Sequence, residues 1–203
     1  MDESERELPA PVRKRLVQLL SILDMSDGEM ITSSALSGLT GWSSAQIRHD
    51  LWLAGIGGGK SNGYDAAVLR NELRRAVGIG EKKRLCCVVG LGRLGAALLD
   101  GRFFDGAGFS LAAGFDSNVN RVEILRSTFP LYPAARIEQV VPELGIKYAV
   151  LALGAADVPA YVRRLAGCGI KGIVNMTSAV VRAPEGVRIE NISLANSLMN
   201  LLI

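Results

Sequence analysis

The sequence predicts an α/β chain in two parts, a helical front half and a back half in which strands and helices alternate. Three observations predict it. In the front, apolar residues recur at three- and four-residue spacing between capping residues and glycines. In the back, short apolar runs alternate with helical patterns, the mark of a parallel sheet covered on both faces. Between them lies Gly78-Ile79-Gly80-Glu81-Lys82-Lys83-Arg84, polar and glycine-containing, the expected boundary. With 203 residues, 49% of them hydrophobic, the chain can bury one good core or two small ones and is not disordered.

Val12, Leu16, Leu19, Leu20 and Leu23 mark a helix over 13–23, with Pro11 at its start, where a missing N–H costs little. Asp27-Gly28 is a turn. Thr32-Ser33-Ser34 supplies capping residues for a short helix over 34–37, and Gly38 to Gly41 turns the chain again. Ser43 or Ser44 caps a helix over 44–53, which stops at Gly55. The stretch from Gly55 to Tyr64 carries five glycines and one lysine and is expected to be a hairpin-like loop. Asp65 caps a last helix over 66–77. Helix, short helix, turn, helix, glycine-rich loop, helix is the order of a winged helix-turn-helix.

The back half alternates. Strands are expected over 85–89, 109–115, 131–132, 148–153, 172–175 and 187–191. Helices are expected over 94–99, 120–127, 137–144 and 158–166, and from Ser193 onward. This is a Rossmann-like pattern.

Val88-Val89-Gly90-Leu91-Gly92-Arg93-Leu94-Gly95 meets the context that a glycine fingerprint needs: it follows an apolar strand, it opens a helix, and Asp116 closes the next strand. Gly90 permits the tight turn, Gly92 lets backbone approach a pyrophosphate, and Gly95 lets the helix pack on the sheet. Leu91, Arg93 and Leu94 complete the loop. Asp116 is placed to accept from ribose hydroxyls, which points to NAD(H) rather than NADP(H), with Arg121 near enough to keep the second open. A core turn without ligand and a CoA or other nucleotide site are the alternatives. Leu153-Gly154 and Thr177 end later strands and are candidates to line a nicotinamide. No acid/base pair suited to accompany hydride transfer stands beside them, so no catalytic residue is assigned. The chain is read as one that binds the cofactor rather than turning it over.

In the front, the helix after Ser43 has the make-up of a recognition helix. Ser44, Gln46 and Arg48 offer polar groups for base edges, Gln suiting adenine and Arg suiting guanine or phosphate. Ile47 and Leu51 face the core. His49, the one histidine, reads as a base contact or as plain surface. Lys60 stands at the tip of the glycine loop. Arg13, Lys14 and Arg15 are candidate phosphate contacts or solubility charges. The net charge of +3 does not by itself announce a nucleic-acid binder, although basic residues modestly outnumber acidic ones between Ala10 and Arg84. Cys86, Cys87 and Cys168 show neither zinc spacing nor a disulfide framework, no metal site is expected, and no apolar run is long enough for a membrane span. The opening residues are acidic and polar rather than a signal peptide, so a cytoplasmic protein is expected.

Taken together, SSAQIRHD, GYDAAVL, VVGLGRLGAAL, AAGFD and GIKGIVNMTSA, in this order and spacing, resemble the Rex family of redox-sensing repressors over nearly the whole chain. The resemblance implies a homodimer that binds palindromic operator DNA when NAD⁺ dominates and releases it when NADH binds. It also implies three parts: a DNA-binding domain over 1–80, an NAD(H)-binding domain over 81–192, and a dimerisation helix over 193–203 that swaps into a cleft between the two domains of the partner. Four departures stand out. Arg48-His49 replaces the family's two basic residues, and Gly59-Lys60 replaces the basic pair of the wing. Leu19, Leu20 and Ser21 stand where tyrosines and an arginine are usual. Gly101 and Ser193 replace a tyrosine and an aspartate that couple cofactor state to closure. Two other classes of function compete with the repressor: a small NAD-dependent oxidoreductase, and a dimeric nucleotide-binding module that has lost its DNA affinity.

Overall fold

The computed structural model describes residues 8–26, 28–57, 63–80, 83–104 and 106–202. Contacts divide the chain into two units, Met1–Glu81 and Lys82–Ile203.

The first unit is helical. Helix α1, Ala10–Asp24, buries Val12, Leu16, Leu19, Leu20 and Leu23 on one face. Strand β1, Met30–Ile31, pairs antiparallel with β2, Tyr64–Asp65, a two-residue ribbon too short to leave a periodic trace in sequence. Helix α2 runs Ser33–Thr40, longer than expected at both ends. Thr32 is its cap, accepting from the Ala35 N–H at 3.0 Å, and the helix passes through Gly38 to end at Gly41, whose φ of 74° breaks it. Helix α3 covers Ser44–Leu53 with Ser43 as cap, and α4 covers Ala66–Ala76 with Asp65 as cap. Leu16, Leu36, Ile47, Leu51, Leu69 and Leu73 fill the space between the four helices. The loop tip with Lys60 lies outside the described residues.

The second unit is a six-stranded sheet built from β3 Arg84–Val89, β4 Phe109–Asp116, β5 Leu131–Pro133, β6 Tyr148–Leu151, β7 Gly172–Asn175 and β8 Arg188–Asn191. Its order is β5-β4-β3-β6-β7-β8, and every neighbouring pair is parallel. The helices are α5 Arg93–Ala97, α6 Val119–Ile124, α7 Ile137–Glu143, α8 Val158–Gly167 and α9 Leu194–Met199. The strand order reverses between β3 and β6, which puts a crevice at their carboxyl ends. One core, around Phe115, Ile137, Val141, Leu151, Val162 and Leu165, lies under α7 and α8. Another, around Val88, Leu91, Leu98, Leu99 and Val150, lies on the opposite face.

Helix α6 and strand β6 are among the elements that end earlier than expected. Helix α6 stops at Ile124 because Leu125 turns extended (φ −69°, ψ 139°), ahead of a turn in which Ser127 Oγ accepts from the Phe129 N–H. Strand β6 stops at Leu151, although Ala152 N–H still donates to the Val89 carbonyl at 2.8 Å before the chain turns at Gly154 toward α8. Helix α9 exposes Leu194, Leu198 and Met199, and the turn after it exposes Leu201 and Leu202. Among the described residues no helix is long and apolar enough to cross a membrane.

Candidate functional site

The loop from Gly90 to Gly95 lies at the reversal of strand order. Gly90 has φ 93°, and a Cβ there would stand 2.6 Å from the Ala152 carbonyl oxygen. A Cβ on Gly95 would overlap the Gly90 carbonyl oxygen. Both positions exclude any side chain, because loop, helix α5 and the β6 end touch backbone to backbone. Gly92 differs, since a Cβ there meets nothing within 4 Å. It caps α5 while leaving open space at the helix start, whose first N–H groups lack intrahelical partners. That is the shape a pyrophosphate cradle requires.

Asp116 ends β4 with only 3% of its surface exposed. Its Oδ2 accepts from the Leu91 N–H at 2.6 Å and its Oδ1 from the Asn118 N–H at 2.7 Å. The carboxylate thus fixes the glycine loop. Oδ1, with one donor, keeps a further lone-pair direction for a ligand. Arg121 Nη1 sits 3.4 Å from Oδ2.

A polar cavity of about 270 Å³ opens at this crevice and gathers Gly90, Gly92, Asp116, Leu153 and Gly154. Leu91 points into the core beneath it, and Arg93 and Leu94 are exposed on α5. Thr177 does not line the cavity. Its hydroxyl donates to Asn175 Oδ1 at 2.7 Å and accepts from the Ala179 N–H at 3.2 Å, holding its own loop. Sequence reasoning missed Asp157 and Tyr161, which also line the cavity. Their i, i+4 spacing into α8 was the available signal, since residues four apart share a helix face.

In the first unit the expected DNA contacts fall into two groups. Arg15 turns inward. Its Nε donates to Asp50 Oδ2 at 2.6 Å and its Nη2 to Asp50 Oδ1 at 2.8 Å. This departs from the expected phosphate contact, and the reason is that Asp50 is fully buried on α3 and needs a cation beside it. The pairing raises the Arg15 pKa above its ordinary value. Gln46 also turns to Asp50, donating to Oδ1 at 2.9 Å. Arg13 donates to the Val77 carbonyl at 3.1 Å, and Lys14 is exposed. Ser44 Oγ donates to the Ser33 carbonyl at 3.2 Å, and Arg48 Nη1 donates to Ser33 Oγ at 3.0 Å while remaining exposed. His49 is exposed and stacks on Trp52 at 5.9 Å between centroids. Among the described residues, no group of three His, Cys, Asp or Glu is arranged to hold a metal ion.

Comparison with known proteins bears on both units. A family model described as CoA binding domain matches residues 81–179. A redox-sensing transcriptional repressor Rex from Listeria welshimeri is 30% identical over 205 residues, covering 100% of this chain and 95% of that protein. A repressor of the same name from Lactiplantibacillus plantarum is 29% identical, covering 98% of this chain and 89% of that protein. Crystal structures of the Rex-family repressor RSP are similar throughout. The complex with β-NADH has a TM-score of 0.84 at 27% identity, covering 97% of this chain and 93% of that one. The complex with β-NAD⁺ and operator DNA has a TM-score of 0.83 at 27% identity, covering 96% and 91%. A glycine loop closed by a buried aspartate, a capped helical unit before it, and likeness along the full length lead to one conclusion: the chain belongs to the Rex family of redox-sensing transcriptional repressors.

Proposed function

We propose that this protein is a transcriptional repressor that senses the NADH/NAD⁺ ratio, binding palindromic operator DNA as a homodimer and releasing it when NADH binds. The observation that carries the reading is likeness across both units to a repressor solved with NADH and, separately, with NAD⁺ and operator DNA. The glycine loop is consistent with it, since Gly90 and Gly95 hold a cradle that Gly92 leaves open.

In this reading residues 1–80 bind DNA, 81–192 bind NAD(H), and 193–203 pair the subunits. Backbone N–H groups at Gly92 to Gly95 meet the pyrophosphate and Asp116 meets the adenosine ribose. Leu153, Gly154 and the Thr177 loop border the nicotinamide end. Arg48, His49, Ser44, Lys14, Arg13 and Lys60 face DNA. The protein acts in the cytoplasm and is not an enzyme. The response is a population shift: NADH moves the equilibrium away from the DNA-competent dimer only by its difference in affinity for the two states.

The test is fluorescence anisotropy on a labelled AT-rich palindromic duplex, at low and moderate salt, with NAD⁺ and then NADH. Binding with NAD⁺ and release by NADH is expected. Binding indifferent to NADH removes the sensor from the reading, and absence of binding in any state removes the repressor.

A further inference from the structure

We propose that Asp50 is a positioning residue of the DNA-reading helix and that Gln46 belongs to its clamp, which leaves base reading on α3 to Arg48 and His49. The proposal rests on the DNA-binding reading above and deepens it.

Asp50 lies on α3, fully buried, and receives three donors: Arg15 Nε at 2.6 Å, Arg15 Nη2 at 2.8 Å and Gln46 Nε2 at 2.9 Å. An ionised carboxylate only accepts, so the amide face of Gln46 turned toward it is the NH₂. The other inward residues of α3, Ile47 and Leu51, make apolar contacts, which choose the inward face of the helix but, being non-directional, leave its finer rotation to the polar pair. A bidentate guanidinium–carboxylate pair is directional. Arg15 comes from α1, so the pair sets how α3 is turned about its own axis.

That turn decides what faces outward. Ala45, Arg48, His49 and Trp52 are exposed, at the spacing of one helical face, whereas Gln46 and Asp50 share another. Reading adenine takes both ends of a Gln amide. Gln46 could offer them only by giving up its bond to the buried carboxylate, which sets the cost of that bond against the gain at the base.

The first measurement is made on free, ¹⁵N-labelled protein. The Gln46 side-chain NH₂ is expected to exchange with solvent at least 10-fold more slowly than an exposed amide, and Asp50→Asn is expected to remove that protection. Exchange at the exposed rate overturns the clamp, whether or not the protein binds DNA. The second is a panel of palindromic duplexes, each altered at one base pair per half-site. Gln46→Met is expected to keep the unaltered protein's ranking at every position, and Arg48→Met to lose at least 10-fold of discrimination at one. A 10-fold loss confined to one position in Gln46→Met overturns the assignment. The third is the double variant Arg15→Met/Asp50→Leu, whose apolar pair restores packing. Its melting temperature is expected to match the unaltered protein while its discrimination falls at least 10-fold, and undiminished discrimination overturns the positioning role. If the unaltered protein binds no duplex, the DNA reading falls and the amide exchange still decides the clamp.

Discussion

Gly92 and Gly95 stand three residues apart in one fingerprint, yet the structure separates their roles. A Cβ on Gly95 overlaps the Gly90 carbonyl oxygen, so Gly95→Ala must move helix or strand. Its expected outcome is a protein with a lower melting temperature and no NADH binding. A Cβ on Gly92 meets nothing, so Gly92→Ala is expected to fold with an unchanged melting temperature and bind NADH at least 10-fold more weakly, because the methyl enters the space that the proposed function gives to the pyrophosphate. Thermal melts beside NADH titrations check both, and equal behaviour of the two variants contradicts the separation. Sequence made the loop and Asp116 legible because strand, glycines and acid are a local pattern. It did not show that Asp116 also holds the Leu91 N–H, since that bond spans 25 residues. The Arg15–Asp50 pair was hidden for the same reason, its members standing 35 positions apart. One trace of it was present: Asp50 shares the inward side of α3 with Ile47 and Leu51, and an inward acid needs a cation. The cysteines also belong to this scale. Burial pushes the Cys86 thiol up to about 12 and raises Cys87 and Cys168 as well. Thiolate is the reactive form, so native protein at pH 8 is expected to leave Cys86 and Cys87 unalkylated by iodoacetamide, as read by mass spectrometry, and denatured protein to react at both.

Elements differ in how well periodicity reveals them. Helices α1, α3 and α4 and strand β7 follow apolar spacing closely because each buries one face, and β3 and β4 follow it because their carboxyl ends are buried on both faces as continuous apolar runs. Helix α2 carries one fully buried residue, Leu36, so only its caps could mark its ends, and Thr32 rather than a serine is the cap. The carboxyl end of β7 is less legible still. Asn175 is fully buried with every polar atom used: Nδ2 donates to the Ala179 carbonyl at 2.8 Å and to Asn191 Oδ1 at 2.9 Å, and Oδ1 accepts from Thr177 N–H and Oγ1. One side chain therefore joins the Thr177 loop to the end of β8, two residues before Ser193 caps α9. Asn175→Ala strands the Thr177 and Ala179 backbone groups. Each orphaned group costs about 1–3 kcal/mol, so a destabilisation of roughly 2–4 kcal/mol is expected. Urea unfolding measures it, and a change under about 0.5 kcal/mol, the usual range for a surface substitution, contradicts the role.

At the scale of the whole molecule, α9 and the turn after it are the parts that the single chain leaves unexplained. Leu194, Leu198, Met199, Leu201 and Leu202 are each more than half exposed, although helix formation has already cost their backbone entropy. Five such side chains on one short segment are stable in water only when something covers them. A second copy of the chain is the cover that the proposed function requires, because a palindromic operator is read by two related recognition helices. Ser193 takes part locally by accepting from the Asn196 N–H at 3.2 Å, which gives α9 a cap in place of a carboxylate. Gly101 has φ 75°, a left-handed backbone that any side chain would adopt only under strain. Leu198→Glu combined with Leu201→Glu places two charges on the uncovered segment without touching the core of either unit. The expected protein sediments as a monomer where the unaltered chain sediments as a dimer. It keeps its NADH affinity within about 3-fold if the Gly90–Asp116 site is complete within one chain. Its affinity for the palindrome falls toward that for a single half-site, because the second recognition helix is no longer held on the same molecule. Sedimentation velocity and anisotropy on full and half-site duplexes separate these effects. A double variant that remains dimeric shows that α9 is covered by something other than the partner subunit.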